Sequence, residues 1–557
     1  MKRLFLSFIA GIVSVAGFAC TNLIVGKAAS ADGSVICTYN CDGFGFASSL
    51  TYSAPGRHAK GEMLAIRSWG SQEPHYIKQA EYTYAVMGLM NEKQVSIVET
   101  TWGGRNELQN REGWLDYFTL MQLALQRSTS AREAILVMDA LVQEYGYNET
   151  GESFAVCDKD EAWIMELIGK GPGRKGAVWV ARRLPDNCVT AYANSSRIRQ
   201  FPQVKKAPKK SNVCIIEGDC MYSKDVITFA REMGYFNGAD ADFSFREAYQ
   251  PMTFSKARAC EARVWSFFNM HVDGMERYLD WADGRHVGTA EVMPLYFRPK
   301  HKVSLRMAMD GMRDHYEGTP FDMTKGPGGG AWDSPYRPRP QEFEVDGKRY
   351  FFERPIATQQ SCCTMVCQMR SWLPDEVGGI IWYGNDDANM VTYTPVYCCA
   401  TRVPVCYDAP DATDLKFSWN SAFWVCNWVS NMTYPRYSRL FPDVKRVREE
   451  LQDKYLGQQG DVEAKALALC EKHTPDAREL LTRHGETCAS EMLARWKELG
   501  EYLIVKHNDL AVKPETNGEF DKTPDGLGAP PLREGYNESY RRIFVRETGD
   551  KYLVPKE

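Results

Sequence analysis

Cys20 follows Gly17-Phe18-Ala19, which places small residues at the positions a leader peptidase favours. Lys2 and Arg3 precede a largely apolar run from Leu4 to Val15, and together these segments read as a secretory leader over residues 1–19. The run of about 12 residues is too short for a bilayer span, which needs about 20. A cut before Cys20 leaves a thiol and a free α-amine on one residue. The amine has an ordinary pKa of about 7.7–8.0 and the thiol about 8.5, so a proton passes between them at little cost near neutral pH. Such a residue is nucleophile and base together. It needs no catalytic histidine, only N–H donors for a tetrahedral oxyanion and a carboxylate to hold the α-amine.

Two other readings of Cys20 make different demands. A bacterial lipoprotein cysteine also sits directly after the cut, but Gly17-Phe18-Ala19 is a poor match to Leu-Ala-Gly, and acylation would remove the amine as a base. A cysteine that merely starts a core strand demands nothing further. The usual catalytic signatures are missing: there is no Walker-type glycine loop, no His-Glu-x-x-His pair and no Gly-x-Ser-x-Gly elbow. No cysteines stand at C-x-x-C spacing, so the clusters Cys362, Cys363, Cys367 and Cys398, Cys399, Cys406 read as buried thiols or disulfides. The 17 cysteines are odd in number, so at least one has no intramolecular partner. No metal and no cofactor is expected.

A net charge of −5 over 557 residues excludes a generic polyanion binder, and no nucleic-acid partner is expected. Lys205, Lys206, Lys209 and Lys210 read as a solvated loop. No stretch after the leader is apolar for long enough to anchor the chain in a membrane.

The elements that must position Cys20 are mostly short strands. Thr21–Gly26 and Ser34–Asn40 flank an Asp32-Gly33 turn and read as a pair with Cys20 at its leading edge. Further strand-like runs cover Tyr84–Met90, Gln94–Thr100, Ser153–Cys157, Ala162–Ile168 and Ala177–Arg182. Residues 114–146 have apolar residues at three- and four-residue spacing and read as two helices, the second capped by Ser130. Residues 325–341, dense in Gly and Pro, form an irregular loop inside the domain, because strand-like runs resume at "QSCCTMVCQMR" and "VGGIIWYGN". From about residue 440 the sequence turns charged and helix-favouring. Thr474-Pro475-Asp476 marks a helix start with a hydroxyl cap, after which Ala489, Met492, Leu493, Trp496 and Leu499 share one face. The resulting division is a leader at 1–19, a hydrolase domain at 20–440 and a helical extension with an irregular tail at 441–557.

The opening "CTNLIVGKAASADGSVICTYNCDG" resembles the start of the N-terminal-nucleophile cysteine dipeptidases, relatives of the secernins and more distantly of penicillin acylases and bile salt hydrolases. "GLMNEKQVSIVETT", "WVARRLPDNCVTAYANSSRI", "KARACEARVWSFF" and "IATQQSCCTMVCQMRSWLPDEVGG" follow in the family's order, and the likeness covers residues 20 to about 400. It implies a four-layer αββα sandwich and hydrolysis of dipeptides through an acyl-enzyme. Carried over residue by residue, it makes Cys20 the nucleophile, Asp42 the carboxylate holding the α-amine, Asn194 an oxyanion donor and Thr101 the position of a backbone donor. It also places Arg263 in the outer part of the site. Where the family has Arg-Asn-x-Asp this chain has Tyr39-Asn40-Cys41-Asp42, so a phenol replaces a cation beside the nucleophile. An acylase for non-peptide amides and a peptide-binding lipoprotein are the alternatives.

Overall fold

In the computed structural model, which describes residues 20–556 apart from residues 44, 69, 70 and 72, Val35–Asp42 is a strand buried along nearly its whole length. The expected leader lies outside the described residues. Burial on both faces means covering on both sides. Cys37 and Tyr39 turn one way, onto Ser96 Oγ at 3.6 Å and Glu99 Oε1 at 2.6 Å in an opposing sheet. Asn40 and Asp42 turn the other way, toward Met312 and Arg354. The period of two along this strand therefore separates an inter-sheet face from a face that meets the helices.

Val35–Asp42 is the third strand of a six-stranded sheet ordered Val189–Tyr192, Asn22–Val25, Val35–Asp42, Ser361–Met369, Ile380–Asn385 and Thr394–Tyr397. The opposing sheet has nine strands, with Ala177–Arg183, Ala162–Gly169, Gly151–Cys157 and Ser96–Gly103 as its long neighbours. Every ladder in both sheets is antiparallel. Helices Tyr117–Gln126 and Ala131–Tyr145 cover the nine-stranded sheet. Helices Ala262–His271, Leu305–Gly311, Ala422–Thr433 and Thr474–Lys506 cover the six-stranded one. The order of layers is helix, sheet, sheet, helix, as the resemblance implied.

Three expected elements differ in detail. Tyr84–Met90 is not one strand: Val86–Met87 turns back onto Met90–Asn91, with Gly88 at φ 53° in the tight turn. The Gly-rich loop at 325–341 carries short helical turns at Gly326–Gly329 and Gly330–Trp332. Thr474 is the first residue of its helix rather than its cap; His473 holds the cap position and makes no side-chain bond there. Helical structure also starts at Ala422, ahead of the change in composition near residue 440. The lysines at 205, 206, 209 and 210 are exposed. All 17 cysteines are unpaired thiols. Among the described residues no helix is long and apolar enough to cross a membrane.

Candidate active site

Thr21 pairs with Asn40, so Cys20 lies across from Cys41 at the head of its strand. Cross-strand neighbours project to one side, and the Cys20 thiol accordingly enters the gap between the sheets with Tyr39 and Cys41. It is fully buried. Its S–H points at Glu99 Oε1 at 3.4 Å and lies 3.7 Å from the Tyr39 hydroxyl. Tyr39 itself donates to Glu99 Oε1.

Glu99 does not stand alone. Glu152, paired across the ladder with Thr101, brings a second carboxyl to the same inner face and accepts from Thr101 Oγ1 at 2.9 Å. Burial pushes Glu99 up to about 7 in spite of hydrogen bonds from Glu152 and Tyr39. Burial and the Glu99 charge push Glu152 well above the usual carboxylate range. Two carboxyls this close cannot both ionise in a dry gap, so the pair keeps a proton between them at neutral pH. Burial, the Cys41 contact and the Glu99 charge hold the Cys20 thiol well above its ordinary pKa.

Arg263 joins the nucleophile position to the other sequence-assigned residues. It is the second residue of the helix Ala262–His271, directly after a π-helical stretch at Ala257–Glu261, and is wholly buried, not part of a surface ion pair. A guanidinium has five N–H donors. Here they reach Ala259 O at 2.7 Å, Cys20 O and Thr21 Oγ1 at 2.8 Å, Ala193 O at 3.1 Å and Asn194 Oδ1 at 3.0 Å. Asn194, at φ 60° just after Val189–Tyr192, in turn donates its amide to Thr101 O at 2.6 Å. One chain of contacts therefore runs from Cys20 through Arg263 and Asn194 to Thr101.

Asp42 lies on the far side of its strand from the thiol. Its carboxylate accepts from Arg354 and from Ser361 Oγ, the latter at 2.6 Å. Burial raises its pKa while the Arg354 charge lowers it. Of the six residues assigned from the sequence, Cys20 and Tyr39 meet in the inter-sheet gap, Arg263, Asn194 and Thr101 form the connected flank, and Asp42 stands behind. Glu99, Glu152 and Arg354 were not singled out from the sequence. Glu99 and Glu152 had a signal: each is the one carboxylate in a buried strand whose other side chains are apolar, hydroxyl or thiol. Arg354 had none, since it comes from a loop more than 300 residues along the chain from Asp42.

Two antiparallel sheets packed face to face and sheathed in helices, with Cys20 buried between them, are consistent with an α+β hydrolase sandwich. A family model described as peptidase family C69 matches residues 48–450. That is more than half of the chain, which belongs to this peptidase family. The matched segment starts after Asp42 and includes Glu99, Thr101, Glu152, Asn194 and Arg263. A probable dipeptidase of Salmonella dublin is 26% identical over 406 residues, 68% of this chain and 81% of the relative. Dipeptidase A of Lactobacillus helveticus is 23% identical over 520 residues, 86% of this chain and 93% of the relative. A probable dipeptidase of Latilactobacillus sakei is 23% identical over 425 residues, 73% and 79% of the two chains.

Proposed function

We propose that this peptidase is an exported dipeptidase whose nucleophile is Cys20, released at its α-amine when residues 1–19 are removed. The Cys20 proton passes to the α-amine as Sγ bonds to the peptide carbonyl carbon. The amine returns that proton to the leaving nitrogen as the C–N bond breaks. Water then attacks the thioester, gives a proton to the α-amine, and the carboxylic product leaves as the Cys20 sulfur is reprotonated. Asn194 spends one of its two amide N–H groups on Thr101 O, which leaves the other for the oxyanion. A backbone N–H near Thr101 is the second donor.

The observation that carries this reading is the single buried guanidinium of Arg263, which grips Cys20 O and Asn194 Oδ1 together. It fixes the nucleophile against its oxyanion donor. The names of the relatives favour dipeptides over other amides. Asp42 is assigned to hold the α-amine, and the positive charges of Arg354 and Arg263 around that carboxylate would keep the amine neutral and able to act as base.

The test begins with intact mass and N-terminal sequencing of the protein exported by a bacterial host, where an unmodified Cys20 terminus is expected. Dipeptide turnover by that protein should fall by at least about a thousandfold in Cys20→Ala with the fold intact. Unchanged turnover would sink the mechanism, and a lipid mass on Cys20 would remove the base. Faster turnover of N-acyl amides than of dipeptides would reassign the substrate.

A further inference from the structure

Cys41 touches more than the nucleophile. Strand Ser361–Met369 runs beside Val35–Asp42 with Cys363 opposite Cys41, and the register shifts between Ser361 and Cys363. A regular strand sends consecutive side chains to opposite faces. An irregularity of this kind sets two residues against one, and here it brings the thiols of both Cys362 and Cys363 to Cys41. The three Sγ atoms all lie within 4.8 Å of one another. Cys362 S–H also donates to Cys41 O at 3.3 Å. The sequence conceals this group, because it unites a vicinal pair with a residue about 320 positions away and has no C-x-x-C spacing. Cys367, which stands nearest to the pair in sequence, lies opposite Cys37 instead.

We propose that Cys41, Cys362 and Cys363 form a binding site for one thiophilic metal ion of the zinc(II) class, set beside Cys20 so that the ion inhibits the enzyme. Zinc–thiolate bonds of about 2.3 Å in a tetrahedron put sulfurs roughly 3.8 Å apart, so no edge of the triangle must contract by more than about 1 Å. Three thiolates select soft or borderline cations over magnesium or calcium. Cys362 and Cys363 are buried, while Cys41 is partly open and supplies the way in. Three protein ligands leave a fourth position. Cys20 lies across the strand pair from Cys41, and the two thiols influence each other's ionisation, so the nearest candidate for that position is the nucleophile. Each thiol that binds loses its proton to solvent as the metal–sulfur bond forms, and nothing is oxidised or reduced. Among the described residues the other close thiols complete no such triangle: Cys398 and Cys399, at 3.9 Å, have no third cysteine, and Cys37, which contacts Cys157 and Cys367, does not form with them a group within 4.8 Å.

The test uses the exported chain beginning at Cys20, reduced and stripped of metal, titrated with cobalt(II) and then zinc(II). The expected result is one equivalent of cobalt with an intense sulfur-to-cobalt charge-transfer band, displaced by zinc. Cys362→Ser/Cys363→Ser should weaken binding by at least about a hundredfold, whereas Cys20→Ala should keep the band. Absence of the band in the unaltered chain, or undiminished binding in the double variant, would overturn the site. Loss of the band in Cys20→Ala would overturn it too, by making the nucleophile the principal ligand. If the double variant does not fold, Cys362→Ser alone decides in the same way. The inhibition arm rests on the dipeptidase reading: zinc should stop turnover in the unaltered chain and spare the double variant, whose basal rate is unchanged. A chain that binds cobalt and hydrolyses no dipeptide would refute that reading while leaving the metal site standing.

Discussion

The chemistry of Cys20 turns on what does and does not stabilise its thiolate. Its S–H faces the Glu99 carboxyl, and the Tyr39 hydroxyl is committed to the same oxygen. A phenol used in this way lends no fixed positive charge to the sulfur. In the proposed mechanism the thiolate is instead stabilised by the ammonium formed when the α-amine takes its proton, which would make leader removal a condition for reactivity. Glu99 modulates this step. Its pKa of about 7, set by burial, means that it is neutral at lower pH and anionic at higher pH. Its charge disfavours the thiolate. In Glu99→Gln that repulsion never develops, so mass-mapped alkylation of Cys20 should match the unaltered enzyme below about pH 6 and exceed it by roughly three- to tenfold above about pH 8. A ratio that stays flat with pH would remove Glu99 from the ionisation of Cys20. A ratio below one would make Glu99 the acceptor of the thiol proton.

At the level of elements, local signals fixed most of the frame and contacts distant in sequence fixed most of the site. The second covering helix starts where its sequence marks it: Ser130 accepts from Glu133 N at 3.3 Å, and Glu133 reaches back to Thr129 N at 2.7 Å. Ser130→Ala should therefore lower unfolding free energy by about 1 kcal/mol in a urea titration and leave peptide turnover untouched. A loss of turnover would mean that this helix communicates with the gap beneath it. Strand phase was equally legible. The alternation in "VICTYNCD" separates Tyr39 and Cys41 from Asn40 and Asp42, although nothing in that string says which face meets the opposing sheet. Gly88 split an expected strand because its positive φ makes a turn that hydrophobic spacing does not register. The irregularity before Cys363 and the loop that delivers Arg354 could not be read, since each is defined only by a partner hundreds of residues away. For the same reason Arg263 had no sequence signal separating a buried clamp from a surface ion pair.

For the whole molecule, the question is whether the C-terminal helices are an addition to the sandwich or one of its layers. Helix Thr474–Lys506 comes so close to strand Thr394–Tyr397 that a Cβ on Gly485 would stand 2.9 Å from Pro395 O. Trp496 Nε1 donates to Met390 O at 3.1 Å, and Leu481, Met492, Trp496 and Leu499 are buried with it. Burying four such side chains contributes roughly 6–12 kcal/mol, which matches the whole net stability of about 5–15 kcal/mol expected of a folded protein. The six-stranded sheet therefore needs this helix. The tail beyond it is different. Helix Glu538–Thr548 buries none of its residues, and the tail's ties to the body are partly exposed bonds such as Asn537 Nδ2 to Asp333 Oδ1 at 3.0 Å and Arg439 to Glu534 at 2.7 Å. Contacts of that kind contribute about 1 kcal/mol or less each. We predict that a chain ending at Thr516 unfolds cooperatively in urea, loses no more than about 2 kcal/mol and hydrolyses dipeptides at the full rate, whereas a chain ending at Glu471 yields no folded protein. A folded, active product from the shorter chain would make the helices a separable domain, and a collapse of the longer one would show that the tail closes the sandwich.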